Sequence, residues 1–200
     1  MSVSAAPSPP RPALLAAMLD HLVVPPGESA RLTTDPTTVS LVSPEIRHTD
    51  DVDEFRAWLC PPDDPLASGR VPFPRHLLPT RSWQHGASFR HEELTARDRE
   101  DLRRAANCYL FGPRALVAEY RAALTHCYAP FAAAFYHVRR LEISAGAHLS
   151  VDGHPAVVRA EELSIRRTGQ LRPRTAFRLD VGHLRCDRDG STVGTSTKEQ

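Results

Sequence analysis

From Leu141 to Asp152 the chain alternates without interruption. Leu141, Ile143, Ala145, Ala147, Leu149 and Val151 fall on one parity; Glu142, Ser144, Gly146, His148, Ser150 and Asp152 fall on the other. A period of two is the mark of a half-buried strand, or of two strands meeting at a bend. A longer period is laid over it. Leu141 returns as Leu163, Ile143 as Ile165, Leu149 as Leu171 and Val157 as Leu179, each 22 residues later, with Gly146 and Gly169 one residue out of step. Residues 22–47, LVVPPGESARLTTDPTTVSLVSPEIR, repeat the outline of residues 141–166, LEISAGAHLSVDGHPAVVRAEELSIR. Leu22 aligns with Leu141, Val24 with Ile143, Gly27 with Gly146, Leu32 with Val151, Pro36 with Pro155, Val39 with Val158 and Ile46 with Ile165.

A strand, a glycine bend, a second strand, a proline corner and a third strand, recurring about every 22 residues, resemble one coil of a parallel β-helix. Such a coil cannot bury its own apolar face and must stack on neighbours. The expected fold class is therefore α+β: a short parallel β-helix-like (β-solenoid) layer of about 22-residue coils with an inserted, packed helical hairpin. The alternative is an α+β domain whose two hairpin regions share an outline by coincidence. Pro25, Pro26 and Glu28 interrupt the first copy and mark it as an imperfect, end coil.

Between the copies the period changes. Asp53 to Cys60 reads as a short helix stopped by Pro61 and Pro62, and residues 61–90 form a Pro-rich connection without steady period. Thr95-Ala96-Arg97-Asp98 resembles a capping box, opening a helix that Gly112 and Pro113 end near Phe111. A second long helix is expected to follow. Its stripe runs through Leu116, Tyr120, Ala123, Cys127, Phe131, Ala134 and Val138, with a kink at Pro130. The expected organisation is a disordered Pro-rich tail with a short helix over 1–21, an N-terminal β coil over 22–48, a helical insertion with its Pro-rich connection over 49–137, C-terminal β coils over 138–185, and a disordered tail over 186–200.

Composition narrows the function classes. A net charge of +1 provides no global field toward nucleic acid or an anionic membrane. Lys198 is the single lysine among 25 basic residues, a bias read as genome composition of a bacterial type. Cys60, Cys108, Cys127 and Cys186 form no CxxC pair, which suits reduced thiols and a cytoplasmic location. No run approaches the length of a membrane span.

Candidate chemistry is sparse. HExxH, HxH, CxxC, GxSxG, P-loop and GxGxxG motifs are absent, so no cofactor and no metal site are expected. His126 and His137, read on one helix, are about 16 Å apart along its axis and cannot share an ion. His148, Asp152 and His154 are the candidate acid-base cluster, with a bend near Gly153 to bring His154 toward Asp152. Glu161 and Glu162 read as a solvated edge. Arg166, Arg167, Arg172, Arg174 and Arg178 crowd a run without acids and are the candidate binding residues for phosphate or carboxylate. An acidic run, Asp50, Asp51, Asp53 and Glu54, is the candidate partner for that patch. Nucleic acid is disfavoured because no aromatics interleave with the arginines.

The last strand, around Phe177 to Leu184, has no later coil to cover it, so Phe177, Leu179, Val181 and Leu184 are the expected interface. The functional expectation is a non-enzymatic assembly or interaction protein (a scaffold or adaptor) acting through a β-solenoid surface, with itself or another protein as partner, as a homodimer or small oligomer. The alternative is a small enzyme, or a carbohydrate- or anion-binding protein, using the outer β face around His148, Asp152 and Arg174.

Overall fold

The computed structural model describes residues 21–61, 63–85 and 89–187. His21 and Cys186, at the ends of the tails expected over 1–21 and 186–200, belong to strands, whereas residues 1–20 and 188–200 lie outside the described residues. Among them are eight strands: β1 (His21–Val24), β2 (Ser29–Thr33), β3 (Glu45–Thr49), β4 (Phe131–Ile143), β5 (His148–Asp152), β6 (Ala156–Ile165), β7 (Gln170–Pro173) and β8 (Phe177–Cys186). Three α-helices lie between β3 and β4: α1 (Val52–Leu59), α2 (Ala96–Phe111) and α3 (Arg121–Tyr128). The protein is a mixed α/β fold with two mostly parallel sheets. The larger runs β1-β4-β6-β8, with β3 antiparallel along the first half of β4; the smaller runs β2-β5-β7.

The repeat of residues 22–47 and 141–166 is strand register over its first half. Leu22 pairs with Leu141, Val24 with Ile143, and Leu32 with Val151. Over its second half it is not, because the chain leaves the parallel pattern after β2. Ile46 lies in β3 opposite Ala134 and does not take the place of Ile165. The 22-residue spacing is likewise literal for Leu141 and Leu163, Ile143 and Ile165, and Leu149 and Leu171. It fails at Val157, which pairs with Arg178, while Leu179 faces Val158. The corner between β7 and β8 is one residue shorter than that between β5 and β6, so the register advances by 21 there.

Three equivalent turns join the two sheets. The amide of Glu28 donates to the carbonyl of Pro25 at 3.1 Å, that of Ala147 to Ser144 at 3.1 Å, and that of Gly169 to Arg166 at 2.8 Å. Each turn has positive φ at its third residue: Gly27 at 73°, Gly146 at 71° and Thr168 at 64°. This is why Gly169 looks one residue out of step. The left-handed position belongs to Thr168, whereas Gly169 is small because a Cβ there would stand 2.9 Å from the carbonyl oxygens of Ile143 and Ser144. Pro26 occupies the second position of the first turn, where proline is favoured. The two prolines therefore do not break a ladder; β1 ends at Val24 before they begin.

The second long helix expected to reach Val138 ends at Tyr128, and residues 131–143 are strand. Pro130 has no amide to continue the helix. The misreading has a packing cause. Phe131, Ala133 and Phe135 face the helices, while Ala134, Tyr136 and Val138 face the other sheet, so both parities are apolar and the period of two vanishes. His137 is thus a strand residue, not a helical neighbour of His126. Ahead of α3, residues 114–120 form a 3-10 segment that bends at Val117.

Two cores result, with β4 and β6 between them. One fills the space between the sheets with Val24, Leu32, Tyr136, Leu141, Ile143, Leu149, Val158 and Leu163. The other joins the helices to the outer face of the large sheet, where Phe55 stacks on Phe131 at 4.9 Å and Trp58 meets Phe135 edge-on at 5.7 Å. Thr95 and Asp98 form the expected capping box at the start of α2.

Candidate functional site

β8 is an edge strand. It pairs with β6 on one side and has no strand on the other among the described residues. Phe177, Leu179 and Val181 point into the inter-sheet core but remain half-buried, because among the described residues no further strand closes over them. Beyond Val181 the strand becomes exposed, and Leu184 stands 51% accessible. The edge carries no proline or lysine between Phe177 and Cys186. Proline and lysine are common blocks to edge pairing.

Arg178 lies on the opposite face, toward α1. Its Nε donates to Asp180 at 2.7 Å, and Nη1 donates to the carbonyls of Ala57 at 3.1 Å and Trp58 at 3.3 Å, capping the carbonyl end of the helix. Asp180 is also 3.5 Å from Arg159. A cleft of about 280 Å³ lies between Leu59, Cys60, Pro61 and Leu66, at and after the end of α1, and residues 177–179 of β8.

The five arginines of the basic run do not converge. Arg166 binds Glu142 at 2.9 Å and Asp187 at 3.2 Å at the turn after β6. Arg167 lies exposed in that turn, next to Thr168. Arg172, in β7, bonds Gln170 at 2.8 Å, and Arg174 extends from the corner after β7. Arg178 belongs to the α1 contact. The acidic run does not meet them either: Asp53 is held by Arg114 and Arg121 at 2.8 Å each, and by the Tyr109 hydroxyl at 2.8 Å.

His148 and Asp152 share the outer face of β5, as the alternation implies. Gly153, at φ 90°, turns the chain there, but His154 bonds Thr34 (Nδ1 to Oγ1, 2.8 Å), and Asp152 faces Arg31 at 3.9 Å. The His148 Nδ1 is buried without a hydrogen-bond partner. Glu161 and Glu162 sit where side-chain parity breaks midway along β6, and both are ion-paired: Glu161 to Arg139 at 3.1 Å, Glu162 to Arg185 at 3.2 Å and Arg140 at 3.6 Å. Among the described residues no three His, Cys, Asp or Glu side chains gather as a metal site would require.

No family model, curated protein or solved structure shows significant similarity to the chain.

One buried polar cluster escapes sequence reasoning. Asp98 and Asp101 of α2 are 4% and 2% exposed. Asp101 accepts from the Thr80 amide at 2.8 Å, Arg81 contacts both carboxylates, and His85 lies 3.3 Å from Asp98. Hydrogen bonds from Thr95, then those from His85 and the charge of Arg81, hold the Asp98 carboxyl at about 2 against the cost of burial. The capping box announced Asp98, but its partners lie in the aperiodic Pro-rich connection. The cluster staples that connection to α2 and is closed by its own members, so it is read as structural. Burial alone pushes Cys108 up to about 11, apart from a small opposing effect of Arg56, and removes it as a nucleophile. No helix among the described residues is long and apolar enough to cross a membrane.

Proposed function

We propose that the two parallel sheets are successive coils of a short β-solenoid, and that the protein is a non-enzymatic assembly module that associates through the open end of this stack. The observation that carries the reading is β8: a ten-residue strand with one unpaired edge and an incompletely covered apolar face, followed by no strand among the described residues. Unpaired amides and carbonyls in such an edge are satisfied equally by water or by another strand, but Phe177, Leu179, Val181 and Leu184 gain only from a partner. The opposite end differs. There the Leu41 amide donates to Arg31 at 2.7 Å and Ser40 accepts from the Thr33 amide at 3.1 Å, so residues 40–42 cover the β2 edge, and β3 covers part of β4. The free thiols of Cys60, Cys108, Cys127 and Cys186 support a reducing compartment such as the cytoplasm.

Light scattering across about a hundredfold range of concentration tests the reading, since self-association obeys mass action. A defined oligomer is expected. A monomer throughout removes it and shifts weight to a binding role for the outer face of the small sheet, where His148, Asp152, Arg31 and Arg172 lie.

A further inference from the structure

We infer that two copies of the chain join β8 to β8 in antiparallel register about Leu179, closing a two-fold homodimer; this rests on the self-association proposed above. The argument begins with parity. Phe177, Leu179 and Val181 face the inter-sheet core, and Arg178 and Asp180 face outward. An antiparallel self-pairing that keeps apolar side chains against apolar side chains must map odd positions onto odd positions, because a shift of one residue exchanges the faces. Few registers meet that condition.

Charge selects among them. A pairing centred on Arg178 sets Arg178 opposite itself, and one centred on Asp180 sets Asp180 opposite itself, each placing like charges directly across the ladder, which is destabilising. Centred on Leu179, each of the five positions from Phe177 to Val181 is complementary. Leu179 meets Leu179, Phe177 meets Val181 on the core side, and Arg178 meets Asp180 twice on the outer side. The segment Phe177-Arg178-Leu179-Asp180-Val181 reads the same in hydropathy, and with opposite sign in charge, from either end.

The existing contacts are compatible with it. Asp180 is engaged by Arg178 and Arg159, so the partner's Arg178 adds a third arginine at this carboxylate. The unpaired edge of β8 has no strand beside it among the described residues. A two-fold contact uses the same edge on both chains and consumes it, so the assembly stops at two.

The test uses the full chain with Cys186→Ser to remove the exposed thiol of β8. Leu179→Cys and Val181→Cys are each added to that background and oxidised, and dimers are resolved without reductant, alongside light scattering of the unmodified protein. Cβ atoms of directly opposed residues come within disulfide range, so Leu179→Cys is expected to cross-link at least about tenfold faster than Val181→Cys. An independent variant, Asp180→Arg, faces Arg178 with Arg and is expected to raise the dimer dissociation constant at least about tenfold with unchanged circular dichroism. A dimer in which Val181→Cys cross-links faster, neither thiol cross-links, or Asp180→Arg is without effect overturns this register and leaves self-association standing. A monomer at every concentration overturns both.

Discussion

Leu22 and Leu141 are Cα partners in adjacent parallel strands although 119 residues of chain separate them. Leu163 continues the ladder on the far side of Leu141, and Leu184 follows Leu163. Along this column burial falls from the middle outward: Leu141 and Leu163 are buried, while Leu184 is exposed.

That gradient orders the cost of truncation. Leu163→Ala is expected to destabilise by about 3 kcal/mol, within the range for a fully buried leucine. Ile165→Ala, two residues on and half-buried near the open end, is expected to lose about 1 kcal/mol because the site can relax into solvent. Urea denaturation of the two variants decides this, and equal losses would show that the stack is sealed at Ile165.

The turn after β6 offers a gain. Thr168 holds a φ of 64° where its counterparts are Gly27 and Gly146. A β-branched residue there is strained, whereas glycine is not. Thr168→Gly is expected to stabilise the fold by about 0.5 to 1 kcal/mol, even after loss of the hydroxyl bond to the Arg167 carbonyl and the added freedom of the unfolded chain. Thermal unfolding measures it, and a lowered melting temperature would count against relief of strain at this turn.

What was legible in the sequence follows from how many faces each strand buries. In residues 141–143 and in His148–Asp152 the polar face is at least partly solvated, so parity exposes the two strands; at the turn between them it reverses, with Ser144 buried and Ala145 exposed. Phe131 to Val138 is buried on both faces and imitates a helical stripe instead. The shortened corner before β8 moves Leu179 from Val157 to Val158, a one-residue slip that no spacing count can detect without the turn geometry. The exposed end at Leu184 could be foreseen, because polar residues follow it. The Asp98 and Asp101 contacts could not, since Thr80 and Arg81 reach them across a connection with no period.

The four thiols are expected to separate in a labelling experiment. Cys186 is exposed at the end of β8, whereas Cys108 is fully buried in the helical core and pushed up to about 11 by that burial. Since the thiolate is the reactive form, Ellman's reagent should modify Cys186 first and Cys108 only on unfolding, with Cys60 and Cys127 between them. Early reaction of Cys108 would show that the helical layer opens readily from the sheet.

Asp98 and Glu100 lie one half-turn apart on α2, and each is held at about 2, but the two carboxylates differ in environment. Asp98 is buried among Thr95, Arg81 and His85, whereas Glu100 pairs with Arg103 and Arg104 on the solvent side at 2.9 and 2.8 Å. Exposed pairs are screened and contribute little, so Glu100→Gln is expected to leave the melting temperature nearly unchanged. Asp98→Asn is expected to lower it clearly at neutral pH. A carboxyl with a depressed folded pKa stabilises fully above its unfolded value, 3.8, and loses that contribution as the pH falls through its folded value, about 2. The gap in melting temperature between the parent protein and Asp98→Asn should therefore be constant from neutral pH down to about 5 and then narrow toward pH 2. A gap that does not narrow would mean that Asp98 acts through shape and hydrogen-bond count alone, not through its charge.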